Sequence, residues 1–241
     1  MKENRELVGW GAVCAWAAGL AMIAPLVFYF YVLPNAGSSP TLAADPAAFL
    51  PWMAASGSSR TALWWIVAVA FVLMLLGVPM GLRVRLSGKR GRDIPTPVVE
   101  AAAWISERAG AIGCFAIVLA CLMLAAGEPA LARAYVQAEA QAQPGIVATY
   151  EWQRLVTALL FDVLGFVMVG LWIGISSVAG LGSRRLPKAL GGFGIATGLL
   201  CLCVAIGYLS KVAWLGELGL GAASFVALPV WLIWLGTALA K

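Results

Sequence analysis

Asp162 is an acidic side chain with no other charge in the seven residues before it or the twenty-one after it. If its helix enters an apolar medium near Leu155, a rise of 1.5 Å per residue puts this carboxyl about 10 Å deep. An acid at that depth has two uses. It can bind a proton or cation on a transport path, or it can be a structural acid, neutral or hydrogen-bonded to a neighbour. Ser224, Thr157, Tyr208 and Lys211 are the polar groups expected in the same half of the molecule, so Asp162, Lys211, Ser224 and Tyr208 form the candidate ligand- or ion-binding set.

Other chemistries lack their residues. The chain has no histidine, which removes His-ligated haem, HExxH zinc sites, Ser-His and Cys-His nucleophile pairs and histidine proton relays. Cys14, Cys114, Cys121, Cys201 and Cys203 all fall in apolar stretches. Cys201 and Cys203 point to nearly opposite sides of a helix, and Cys114 and Cys121 are about 10 Å apart along one face, so neither pair chelates a metal by itself. They read as small buried apolar residues. Ser56-Gly57-Ser58-Ser59 has no base near it in sequence, no Gly-rich phosphate loop with its lysine is present, and Trp231 and Trp234 read as packing or anchoring groups. No catalytic, cofactor-binding or metal-binding residue emerges, and a non-enzyme is the expectation.

The elements that must position the candidate set follow from where charge is missing. No Asp, Glu, Lys or Arg occurs at 7–44, 61–82, 109–127, 163–183, 189–210 or 218–240, and a helix needs about 20 apolar residues to cross a bilayer core. The composition agrees, with 62% apolar and 11% charged residues and a mean hydropathy of +0.92, against roughly a quarter charged in soluble domains. The expected architecture is all-α: a single transmembrane domain over 1–241, a six-transmembrane-helix bundle with spans at about 9–33, 61–82, 108–126, 155–181, 190–208 and 218–239 and short external interfacial helices. Lys2 and Arg5 precede an apolar run too long for a signal peptide, so the first span is read as retained.

Charge also orients the bundle. Of the sixteen basic residues, eight lie in two short stretches: Arg83, Arg85, Lys89, Arg90 and Arg92, then Arg184, Arg185 and Lys188. Topogenesis and anionic headgroups account for them without nucleic acid. Placing both stretches and both termini in the cytoplasm, with Arg108 at its boundary, leaves only Arg60, Arg133, Arg154 and Lys211 outside. The expected location is multi-pass in a cytoplasmic membrane.

Within this frame, residues 34–60 form an external loop whose Phe49, Leu50, Trp52 and Met53 are too apolar for water and should rest on the outer membrane surface or cap the bundle. Residues 98–107 should lie at the cytoplasmic interface. Pro129 is suited to a first helical position, which predicts a separate external helix up to Pro144-Gly145. Pro25, Pro79 and Pro229 should bend their spans, and Gly77/Gly81, Gly170/Gly174 and Gly194/Gly198 should permit close helix contact.

The segment Tyr150-Glu151-Trp152-Gln153-Arg154, the turn Arg184-Arg185-Leu186-Pro187-Lys188-Ala189-Leu190-Gly191 and the closing Leu228-Pro229-Val230-Trp231-Leu232-Ile233-Trp234-Leu235-Gly236 resemble uncharacterised bacterial multi-spanning proteins grouped as a domain of unknown function. The resemblance covers about 150–240. It implies a helical bundle in a bacterial membrane, hence the inner one on the orientation above, and carries over no functional residue. Function is therefore read in three ways: a non-catalytic partner subunit or sensor that binds a lipophilic ligand or a membrane-protein partner; a small proton- or cation-coupled transporter using Asp162; and, last, a membrane enzyme acting on lipids, for which no acid–base pair is visible. Besides the lipid bilayer, no cofactor and no nucleic acid is expected.

Overall fold

Backbone polar groups flanked by apolar side chains are satisfied within their own segment only in a helix, and the chain adopts little else. The computed structural model describes residues 2–88 and 96–241, without the side chains of Lys2, Glu3, Pro40, Ala213, Glu217 and Leu218. It is 90% helical, with no strand among the described residues. The basic residues Lys89, Arg90 and Arg92 lie outside the described residues.

Among the described residues, six helices are long and apolar enough to cross a membrane: Asn4–Asn35, Ser58–Ser87, Pro97–Gln137, Gln143–Gly182, Lys188–Ser210 and Trp214–Leu239, here long helices one to six. They close into a ring. Each packs on its neighbours in sequence, and helix six packs back on helix one. Trp172 of helix four and Trp231 of helix six, both fully buried, meet edge to face in the core with centroids 5.6 Å apart.

Small residues set these approaches. A Cβ on Gly11 would lie 2.9 Å from the Cα of Gly81, and one on Gly77 2.8 Å from Cys14 Sγ, so helices one and two touch backbone to backbone. Gly170 and Gly198 are related in the same way, each with the other's carbonyl 2.8 Å from its would-be Cβ. Gly194 faces Trp231. Gly174 differs: its own Cβ would meet open space, although its backbone lies against Gly198. The ring closes through Gly19, whose Cβ would lie 3.0 Å from the Pro229 carbonyl, and Trp16 Nε1 donates to Thr237 Oγ1 at 3.3 Å.

Two expectations are corrected. Pro129 does not begin a new helix; Pro97–Gln137 runs unbroken through it. Its 41 residues make a rod about 60 Å long, so the predicted interfacial segment 98–107, span 108–126 and external helix are one element. Pro144-Gly145 does not end a helix either, but opens helix four, where Pro144 fills a first-turn position. The turn at residues 138–142 is all that separates the two rods.

Among the described residues, three stretches are wound as π-helix: Phe28–Val32 in helix one, Leu159–Gly165 in helix four and Ala223–Ala227 in helix six. Proline accounts for two of them. Pro34 and Pro229 lack the N–H that would bond the carbonyls of Phe30 and Phe225 four residues back, and their rings crowd those carbonyls, so the preceding turn widens. Pro79, by contrast, is carried inside an uninterrupted helix two.

Candidate functional site

The three π segments meet at one cavity. Tyr29 of the first, Phe161 of the second and Ser224 and Phe225 of the third wall a space of about 120 Å³, completed from helix two by Trp64 and Phe71 among others. Its aromatic lining is interlocked: Tyr29 and Phe225 have centroids 5.4 Å apart, Phe30 meets Phe225 edge-on at 5.7 Å, and Trp64 meets Phe161 edge-on at 6.2 Å. A widened turn displaces side chains from the ordinary helical register, and three such turns facing one another leave room that straight helices would fill. The Ser224 hydroxyl oxygen lies on this wall, buried and without a hydrogen-bond partner.

An ionic and aromatic cap lies beside the cavity. Arg60 of helix two donates to Glu128 of helix three through Nε (2.8 Å to Oε2) and Nη2 (3.0 Å to Oε1), a two-pronged pair. Trp64 Nε1 adds a third bond to Oε2 at 3.3 Å. The Glu128 side chain is 1% exposed and that of Arg60 18%, and the three hydrogen bonds to the two carboxyl oxygens offset the cost of burying the pair. Arg60 also lies 5.0 Å from the Phe49 ring centroid and 5.5 Å from that of Trp64. Trp64 thus has one edge held by the ion pair and its ring facing the cavity.

The lid helix Pro46–Ser56 delivers Phe49. Asp45 caps it by accepting from Ala47 N at 3.0 Å, and Pro46 occupies its first turn. Phe49, Leu50 and Met53 are buried against Ala132 of helix three and Tyr150 of helix four, with Phe49 stacked on Tyr150 at 5.3 Å. Trp52 Nε1 donates to the Ala36 carbonyl at 2.8 Å, and Arg154 Nη1 to that of Ala43 at 3.1 Å. The apolar loop of the sequence reading is therefore an ordered cap on the protruding ends of helices three and four.

The four candidates read from sequence are not joined by any bond among the described residues. Asp162 is half-buried in the second π segment, one residue from Phe161, with no hydrogen bond or ion pair. Thr157 bonds carbonyls of its own helix, at Gln153 and Arg154. Lys211 is exposed where helix five ends, with φ at 57°, and Tyr208 is half-buried one turn before it. Ser224 alone belongs to the cavity wall.

Sequence reasoning missed Arg60, Glu128 and Trp64. The signal was there. Arg60 begins helix two and Glu128 lies near the far end of helix three, so opposite charges border two consecutive charge-free gaps at the same end of antiparallel neighbours. Arg83 and Glu107 repeat the arrangement at the other end, 2.7 Å apart. No family model, no curated protein and no solved structure matches this chain. Its site is defined by its own residues.

Proposed function

We propose that this chain is a multi-pass membrane protein that binds a lipophilic ligand in the cavity between its three π segments, as a sensor or as the ligand-binding subunit of an assembly. The cavity carries the reading: widened turns on three separate helices converge on it, and π-helical turns concentrate at functional sites. Its lining is almost wholly apolar, the state in which a cavity stays dry and takes an apolar guest; one of about 150 Å³ suffices for benzene. A ring or the end of an aliphatic chain fits, with the Ser224 hydroxyl available to one polar atom.

Membrane placement is supported by the two ion pairs between helices two and three. Along helix two, Arg60 and Arg83 are separated by about 35 Å of helical rise, and along helix three Glu107 and Glu128 by about 32 Å. Between them only Arg108, adjacent to Glu107, is charged. These lengths match a hydrocarbon core of about 30 Å. The excess of basic residues at the Arg83 end supports a cytoplasmic location for that end and for both termini.

A photoactivatable fatty alcohol with its diazirine near the chain end tests the reading in nanodiscs. Crosslinks should concentrate on Tyr29, Phe161 and Phe225, and fall about tenfold in Val67→Trp, a lining position on helix two from which the indole fills the cavity. Labelling spread evenly over outward-facing side chains such as Leu76, and unchanged by Val67→Trp, would overturn it. The transporter reading keeps one observation in its favour, the unpartnered Asp162 beside Phe161.

A further inference from the structure

On the outside of the ring, helices four and five leave an apolar groove of about 510 Å³, its lining completed by Val98, Val99 and Ala102 from the start of helix three. Its floor is glycine. A Cβ on Gly174 or Gly182 would meet nothing within 4 Å, so the groove exists because side chains are missing there. It runs from Gly170 to Gly182 on helix four, about 18 Å of rise, which is close to one leaflet of a core about 30 Å thick.

Two cations stand where the groove reaches the basic end. Lys188 is seven and fourteen residues before Ile195 and Leu202, which line the groove, so all three share one face of helix five. Arg184 follows Gly182 by two residues and is exposed, as is Lys188; neither side chain makes a hydrogen bond or ion pair among the described residues. Their neighbour is used differently: Arg185 Nη1 bonds the backbone carbonyls of Arg85 (3.2 Å) and Gly88, stapling the two basic turns together. Arg184 takes φ of 55°, the left-handed conformation that ends helix four, with its N–H on the Leu181 carbonyl. Glycine adopts that conformation without strain; arginine adds an exposed charge.

We infer that this groove holds one acyl chain of an anionic phospholipid whose phosphate is bound by Arg184 and Lys188. Charge decides the occupant. A groove one leaflet long, apolar throughout and ending in two unpaired cations, matches a single lipid: a transmembrane partner helix would cross both leaflets, and a zwitterionic lipid carries an ammonium against the same cations. The inference rests on membrane placement but not on a ligand in the π-segment cavity.

Native mass spectrometry of the full chain, purified in detergent and exposed to mixed micelles of phosphatidylglycerol or phosphatidylcholine with the same acyl chains, tests it. Phosphatidylglycerol should be retained about tenfold more than phosphatidylcholine, and the preference should vanish in Arg184→Gln/Lys188→Gln, a pair of exposed changes that leaves folding intact. Gly174→Leu, which fills the groove, should lose both lipids at an unchanged melting temperature. Val67→Trp should retain the lipid, which separates this site from the cavity. Equal retention of the two lipids, indifference to the double variant, or a dimer that Gly174→Leu dissociates would each overturn the assignment.

Discussion

Removing one partner of the Arg60–Glu128 pair strands a charge in a nearly sealed site, whereas replacing both with apolar groups removes the need for compensation. Breaking a buried pair costs about 3–5 kcal/mol, and apolar replacement of the whole pair is often neutral. Glu128→Gln and Arg60→Met should each lower stability in detergent by that order, while Arg60→Met/Glu128→Leu should recover most of the loss. Denaturation curves of the four proteins measure the coupling; additive losses would show that the two side chains act independently. Asp162 responds to a different pair of changes. In a transporter Asp162→Asn keeps the fold and abolishes ion coupling in a proton-flux assay on proteoliposomes, and a structural acid tolerates Asn but suffers from Asp162→Leu. Parent-like folding and flux in both would remove any special role. Asp162 was easy to single out because it lies within a charge-free run, whereas Arg60 and Glu128 terminate such runs and look like ordinary loop charges until two antiparallel helices are laid side by side.

At the scale of elements, glycine contacts and proline positions make opposite demands. Gly170→Leu forces a branched side chain against the Gly198 backbone and Gly194→Leu against Trp231, so each should lower the melting temperature, at a cost of about 1–3 kcal/mol for overpacking. Parent-like melting of both would show that these faces are not in contact. Pro34→Ala and Pro229→Ala should act the other way: with the missing N–H restored, the first and third π segments can return to α geometry, and crosslinking in the cavity should fall while thermal stability holds. Helix existence was legible from apolar length, and a disturbance of the last span at Pro229 from residue type. The continuity of Pro97–Gln137 was not. Proline favours a first helical position, but here Leu131, Ala132 and Tyr135 beyond it pack against the lid helix, and that burial outweighs the bond Pro129 cannot make.

For the whole molecule, charge-free lengths are enough to count six long helices, since each length is a local property of the chain. Their closure into a ring is not local. It depends on Gly19 and Trp16 meeting Pro229 and Thr237 across more than two hundred residues, and no pattern within either segment announces its partner. The charge bias makes a separate prediction: in intact cells with the native cysteines replaced, a membrane-impermeant maleimide should label Ser38→Cys and leave Lys89→Cys untouched. The reverse pattern would invert the orientation. The paired charges on helices two and three also act as a ruler. Because Arg60–Glu128 and Arg83–Glu107 tie the same two helices at both ends, the pair cannot tilt or slide independently to suit a membrane of another thickness, and mismatch costs a fraction of a kcal/mol per Å. Stability in nanodiscs of phosphatidylcholines of increasing chain length should pass through a maximum where the core is about 30 Å thick, and a flat profile would show that the charges do not gauge the bilayer. On the proposed membrane placement, a protein built to such a gauge partitions toward bilayers near that thickness and away from thicker ones.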